Sequence, residues 1–141
     1  MMMDCDSLKM HILGSALYVD IDIWNASTEE YNTAFLTFDT GATVTTISSD
    51  ILVALGYDVS KGNEHKITTG SGLAIVREVK VDRIRIGTNF ILDDIKVYAH
   101  DFPDESFSTG VVGLNVLSQF DILLRFSSDM IVFSKILEQE T

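Results

Sequence analysis

An apolar run that ends in an acid and a glycine constrains this chain more than any other feature. Phe35, Leu36 and Phe38 lead directly into Asp39, and Thr40-Gly41-Ala42 follow it. The pattern predicts a strand that ends in a tight turn, because glycine lets the backbone bend sharply and approach another segment closely. The plain explanation is a turn in which the carboxylate accepts backbone N–H groups. A carboxylate in such apolar sequence is costly unless it is compensated, so the alternative is a chemical role.

Alternation of apolar and polar residues dominates the rest of the sequence. A period of two predicts a β-strand with one buried face, and residues 17–23 show it clearly. The predicted strands span residues 12–24, 33–38, 43–47, 65–69, 73–81 continuing to 86, 90–97, 120–126 and 131–136.

Helices are short and few in this interpretation. One is predicted at residues 50–55, with Ser48 or Ser49 as its N-cap and Gly56 after its end. A second helix-like run follows Gly113. Residues 1 to about 11 show no period, so we expect a loosely held N-terminus, and residues 137–141 form a polar tail. The sequence predicts one all-β domain over residues 1–141.

Composition excludes several classes of partner. The chain has 10 basic and 21 acidic residues, and its formal net charge of −11 argues against nucleic acid as a partner. No apolar stretch approaches the length of a bilayer span, so we expect no membrane partner. The single cysteine, Cys5, cannot form an internal disulfide, and the N-terminal residues lack a signal-peptide pattern. These features favour a cytoplasmic location.

Two further segments favour the chemical role for Asp39. Val111-Val112-Gly113 joins two β-branched residues to a glycine, and Thr69-Gly70-Ser71-Gly72 has the composition of a flexible hairpin tip. Together with Asp39-Thr40-Gly41-Ala42, these segments resemble in type and order the motifs of the retropepsin-like, or retroviral-type, aspartic proteases. The resemblance covers about residues 17–136.

This resemblance implies a fold and a set of roles. The fold would be a single-domain, all-β acid protease fold, with a closed or barrel-like sheet, one or two short helices and half of a pepsin-like architecture. Asp39, Thr40 and Gly41 would be catalytic, and residues Thr69 to Gly72 would form a flap over the substrate. Ala42 and the segment Val111-Val112-Gly113 would support the active-site loop.

The chemistry requires a second acid. Hydrolysis of an amide by carboxylates needs one group to take a proton from water and one to donate a proton, and two close acids share a single proton. The chain has one Asp-Thr-Gly element, and Asp121 lies outside any such motif. We therefore expect a homodimer that contributes Asp39 from each copy and acts as an aspartic endopeptidase on peptides or proteins without a cofactor. The alternative is a non-proteolytic or latent module of the same fold that serves binding or dimerisation.

Three details refine this expectation. Ala42 stands where many two-domain relatives have a serine that stabilises the ionised carboxylate, so the resemblance implies a less acidic pH optimum than in pepsin-like enzymes. Asn115 replaces the charged residue that some retroviral relatives have, so no interface salt bridge is inferred there. The three histidines are too far apart in sequence to predict a metal site.

Overall fold

Strands make up most of the described chain. The computed structural model describes residues 4–70, 72–101 and 109–136. The helices α1 (Ser49–Ala54) and α2 (Leu114–Leu117) are short, and single 3₁₀ turns lie at Val59–Lys61 and Phe126–Ser128. The strands are β1 (Cys5–Lys9), β2 (His11–Leu13), β3 (Ala16–Asn25), β4 (Glu30–Phe38), β5 (Thr46–Ser48), β6 (Glu64–Thr69), β7 (Gly72–Ile86), β8 (Phe90–His100), β9 (Gly110–Val112), β10 (Phe120–Arg125) and β11 (Met130–Lys135).

One sheet of eight strands forms the body of the molecule, in the order β2-β3-β4-β9-β5-β8-β7-β6. β7 is long enough to pair with β6 and β8 and still to meet β3 at its far end, where Ile84 pairs with Ile23. This extra pairing bends the sheet round on itself. The expected all-β, barrel-like fold with few short helices is confirmed, although the sheet is not closed as a true barrel.

The predicted alternation determines which residues lie inside the sheet. Val19, Ile21 and Ile23 of β3 are almost fully buried, and Asp20 between them is exposed. Burying a side chain of this size stabilises a fold by about 1.5–3 kcal/mol. Other strands add fully buried residues to the same core, among them Leu36, Ile47, Val81, Ile84, Ile86, Val97, Ile131 and Phe133.

The N-terminal residues contradict the expectation of a loose segment. Cys5 to Lys9 form β1, which pairs antiparallel with β11 from Cys5–Ser134 to Lys9–Met130. β10 completes a three-stranded sheet in the order β1-β11-β10. The carboxylate of Asp6 also accepts the backbone N–H of Thr88 at 2.7 Å. The prediction was wrong because the partner of β1 lies at the other end of the chain and only Leu8 gives β1 an apolar contact with the core.

Three pairs of consecutive strands form antiparallel hairpins. β3 and β4, β6 and β7, and β10 and β11 pair antiparallel. α1 ends just before Gly56, whose φ is +90°. Ser48 occupies the N-cap position but makes no side-chain capping bond. In the described ranges neither helix has the length and apolar character of a membrane span. The predicted tail, 137–141, lies outside the described residues.

Candidate active site

Asp39 stands where β4 gives way to a turn. Its backbone N–H donates to the carbonyl oxygen of Val112 at 3.1 Å, and the backbone N–H of Ala42 donates to the carbonyl oxygen of Asp39 at 3.2 Å. The N–H of Gly41 donates to Asp39 Oδ1 at 2.8 Å. Asp39 is partly buried, and Thr40 and Gly41 are exposed. The carboxylate is therefore held by the turn's own backbone and still reaches the surface.

β9 brings the second predicted motif directly beside this turn. β9 lies between β4 and β5, parallel to β4 through the pairs Thr37–Val111 and Phe38–Val112 and antiparallel to β5. At Gly113 the chain passes so close to the loop after Asp39 that a Cβ atom would lie 2.7 Å from the carbonyl oxygen of Ala42. It would also lie 2.9 Å from the carbonyl carbon of Val44. The glycine is needed here for space between two backbones.

Behind the loop lies a polar pair that is not evident from the sequence, the buried Thr45 and the partly buried Asn115. Thr45 is fully buried. Its backbone N–H and its hydroxyl both donate to Asn115 Oδ1, at 2.8 and 2.9 Å, and its hydroxyl accepts the N–H of Gly113 at 3.0 Å. Asn115 Nδ2 in turn donates to the carbonyl oxygen of Lys96 at 2.7 Å. The one signal in the sequence is a polar residue two positions after Gly113.

The hairpin β6–β7 stands opposite the loop after Asp39. A cavity of about 320 Å³ separates them and is lined by Gly41, Ala42, Thr43, Val44, Thr46, Ile67, Thr68 and Tyr98. None of these lining side chains is charged. Of the predicted flap residues, Thr69 pairs with Gly72 and donates from its hydroxyl to the carbonyl oxygen of Gly72 at 2.9 Å. Ser71 lies outside the described residues, and Ile67 and Thr68 contribute the wall of the cavity instead of Thr69, Gly70 and Gly72.

A family comparison accounts for this arrangement. The aspartyl protease family model matches residues 26–116, which include the Asp39 turn, the hairpin and β9. The chain belongs to the aspartyl protease family. No curated protein matches the chain.

The fold of this aspartyl protease family member is also found in a solved structure. The crystal structure of a retropepsin-like aspartic protease from Rickettsia conorii aligns with 93% of this chain and 90% of that one, with a TM-score of 0.66 and 16% sequence identity. The resemblance to the retropepsin-like family drawn from the sequence is confirmed.

A larger cavity lies away from the Asp39 turn. It has a volume of about 660 Å³ and lies between α1, the 3₁₀ turn after it and the base of the hairpin β6–β7. Val53, Tyr57, Ile75 and Arg77 are among its lining residues, and no predicted site residue is. An aspartyl protease cleaves its substrate at the catalytic carboxylate, so the smaller cavity beside the Asp39 turn is the candidate substrate site. Among the described residues no three His, Cys, Asp or Glu side chains converge to hold a metal.

Proposed function

We propose that this chain is an aspartic endopeptidase whose water nucleophile lies between Asp39 and Asp39 of a second copy. One observation carries the proposal. The Asp39 carboxylate is oriented by the N–H of Gly41, and the same turn lines an uncharged cavity of about 320 Å³ opposite a hairpin. A plain structural turn would not need β9 and Gly113 packed behind it at backbone contact distance.

A dyad explains the chemistry. One carboxylate takes a proton from the water as its oxygen attacks the scissile carbonyl carbon, and the protonated carboxyl group donates a hydrogen bond to the carbonyl oxygen of the resulting tetrahedral intermediate. A carboxyl proton then passes to the leaving nitrogen as the C–N bond breaks. Two carboxyl groups about 3 Å apart hold one proton between them, because both cannot ionise. The residues that line the cavity include no acid. A second copy related by a two-fold axis supplies the missing group.

The end of the sheet that carries Asp39 also carries exposed apolar residues. Leu13 pairs with Ala16, and Tyr18 pairs with Thr37, so the tip of the hairpin β2–β3 lies at the same end of the sheet as the turn after β4. Ile12 and Leu13 at this tip are 51% and 48% exposed. Two copies that bring their Asp39 residues together would bury side chains at this end, which supports a homodimer there. Cys5, exposed and unpaired in the described chain, suits the reducing cytoplasm.

Cleavage of a diverse peptide mixture tests the proposal. The protein and its Asp39→Asn variant would be compared by mass spectrometry from mildly acid to neutral pH, with Asp121→Asn as the control because Asp121 is an exposed acid of β10. Cleavage by the parent and by Asp121→Asn, with none by Asp39→Asn, is the expected result. Absence of cleavage from a folded dimer would favour the binding or latent alternative.

Mixing the two proteins tests the shared site. If each copy contributes one Asp39, adding excess Asp39→Asn protein to the parent forms inactive mixed dimers, and activity falls in proportion to the parent homodimers that remain. Activity that stays constant on mixing would contradict a shared dyad. Leu13→Lys should also shift the sedimentation coefficient to that of a monomer, whereas Leu123→Lys, on the exposed face of β10, should not.

A further inference from the structure

His65 lies on β6, which forms one wall of the candidate substrate cavity, and its ring contacts Tyr98 of β8, which forms the floor. His65 and Ile67 lie on the same side of β6, since side chains alternate along a strand. Ile67 lines the cavity, as does Tyr98 of β8. The rings of His65 and Tyr98 are 5.2 Å apart and tilted by 35°. Tyr98 is fixed from behind, because its backbone N–H donates to the carbonyl oxygen of Thr45 at 2.8 Å.

A carboxylate lies beside this histidine and attracts the ring when it is protonated. Glu78 Oε1 on β7 lies 3.4 Å from His65 Nε2. That nitrogen is buried and has no hydrogen-bond partner in the described part of the chain, so the contact is an ion pair without hydrogen-bond geometry. Lys96 Nζ lies 3.8 Å from the same oxygen and 5.8 Å from the Tyr98 ring. Glu78 therefore lies between Lys96, which carries a charge, and His65, which is charged only when its ring is protonated.

Most of the other charged groups on the neighbouring strands are paired among themselves. Lys80 of β7 and Asp94 of β8 lie 3.9 Å apart, and both line a neighbouring cavity with Glu78, Lys96 and Lys61. Glu64 and Lys66 lie on the opposite side of β6 from His65, and Glu64 is bound by Arg77 at 2.8 Å. Lys61 pairs with Asp58 at 3.6 Å.

We propose that His65 is a positioning residue for substrate binding, whose charged form is drawn to Glu78 and fixes β6 against Tyr98. The inference rests on the proposed function, because the cavity is assigned to substrate there. When His65 is neutral, the attraction to Glu78 is lost and the wall of the cavity loosens, while Glu78 keeps Lys96. Histidine changes charge between about pH 5 and 8. Substrate binding should therefore weaken as the pH rises through this interval.

The expected effect appears in KM and not in kcat, because His65 does not touch the reacting atoms. The contact is partly exposed to solvent, and ion pairs of this kind change an equilibrium by about two- to five-fold. For the peptide that the parent cleaves best in the mixture, KM should rise by about that factor from pH 5.5 to pH 8. In His65→Gln, KM should have the higher value at both pH values, with kcat within about two-fold of the parent at each.

His11 provides a matched control. His11 Nε2 lies 3.0 Å from Asp20 Oδ2, so it is also a histidine paired with a carboxylate, but it lies on β2 and lines no part of the cavity. His11→Gln should keep the pH dependence of KM. Glu78→Gln should abolish it, because the uncharged amide has no net charge to attract a charged His65.

A second measurement needs no cleavage. In the folded protein, ring and amide NMR signals of His65, Ile67 and Tyr98 would be followed from pH 5 to pH 8. The amide signals of Ile67 and Tyr98 should follow the titration of the His65 ring in the parent, and this response should be lost in His65→Gln.

The two measurements separate the possible failures. Coupled NMR signals with no peptide cleaved would overturn the proposed function. The contact between β6 and Tyr98 would then respond to His65 but would have no role in substrate binding. Cleavage with a pH-independent KM, or a KM that still rises with pH in His65→Gln, would overturn the role of His65. NMR signals of Ile67 and Tyr98 that ignore the His65 titration would overturn it as well.

Discussion

The side chain of Asn115 binds Thr45, seventy positions earlier in the chain, through one oxygen that accepts both the backbone N–H and the hydroxyl of Thr45. The hydroxyl of Thr45 accepts the N–H of Gly113 in turn. This pair ties α2 to the loop that follows Asp39, and Asn115 Nδ2 extends the tie to β8 through the carbonyl oxygen of Lys96. The position of the Asp39 turn therefore depends on polar groups that lie behind it.

Replacement of Asn115 should therefore destabilise the fold. Asn115→Ala leaves the buried N–H of Thr45 and the carbonyl oxygen of Lys96 without their side-chain partner, and an unsatisfied buried group costs about 1–3 kcal/mol. We expect the free energy of unfolding, measured by urea denaturation, to fall by about 2–3 kcal/mol. Gln119→Ala is the control, because Gln119 is exposed and binds only a carbonyl oxygen at the surface. Equal losses in both variants would contradict a special role for the buried pair.

The close approach at Gly113 gives a second prediction. Gly113→Ala places a methyl group 2.7 Å from the carbonyl oxygen of Ala42, and the atoms in its way belong to the backbone and cannot rotate aside. The loop after Asp39 must move, so kcat/KM for peptide cleavage should fall by at least about ten-fold, since small displacements of reacting groups are costly.

Gly70 offers the matched control for this substitution. A Cβ added at Gly70 meets no atom within 4 Å, although Gly70 also belongs to a predicted site segment. Gly70→Ala should leave the free energy of unfolding within about 0.5 kcal/mol of the parent value, as expected for a substitution away from packed atoms, whereas Gly113→Ala should lower it. If Gly113→Ala kept both the stability and the kcat/KM of the parent, the packing of β9 against the active-site loop would have no role in catalysis.

Local patterns were sufficient to predict most of the fold. The alternation in β3, β7 and β8 marks side chains that are buried in the structure, and β7 and β8 pair on either side of the turn at Gly87. β1 could not be predicted in this way, because the contacts that hold it come from β11 and from the turn after β7. A strand with so little apolar surface is stabilised by its partners, and these partners cannot be identified from the sequence of the strand alone.

In the candidate site, too, local patterns indicate some residues and give no sign of others. Asp39, Gly41 and Gly113 could be singled out because a sharp turn and a close backbone approach each demand a particular residue type. Thr45 and Asn115 could not, because a buried threonine in a β-branched run looks like any strand residue until its partner is known. The resemblance implies a flap at residues Thr69 to Gly72, and it gives no indication that Ile67 and Thr68 of β6 line the cavity.

Asp6 should make the stability of the fold depend on pH. Partial burial is the largest single influence on this carboxyl group and raises its pKa, but hydrogen bonds from the N–H groups of Thr88, Ser7 and Asn89 outweigh it, so the pKa is lowered from 3.8. A carboxyl group with a lowered pKa in the folded state stabilises the fold above its unfolded pKa, and this contribution is lost as the pH falls through the folded value.

Asp6→Asn should remove that contribution. We expect the difference in unfolding free energy between the parent and Asp6→Asn to be largest near neutral pH and to shrink as the pH falls below the unfolded pKa of about 3.9 and through the lower folded pKa of this carboxyl group. Thermal or urea unfolding at pH 7 and near pH 3 measures the difference. Asp121→Asn, on the exposed position in β10, should show no such change. A difference that does not depend on pH would mean that the amide replaces the carboxylate in these bonds.

Ala42 links the active-site loop to the pH at which the proposed enzyme works. Its backbone N–H and carbonyl oxygen are both used, by Asp39 and by Leu114, but its methyl group offers no donor to a carboxylate. The activity of the parent should therefore peak at mildly acid to neutral pH, and a peak near pH 2 would contradict this.

Ala42→Ser adds a hydroxyl that can donate to the ionised dyad, which favours that form. We expect the acid limb of kcat/KM to move to lower pH by about one unit, which corresponds to about 1.4 kcal/mol. Thr43→Ser adds no new hydroxyl and should leave the profile in place, so a shift in both variants would show that the change acts through the loop and not through the carboxylate.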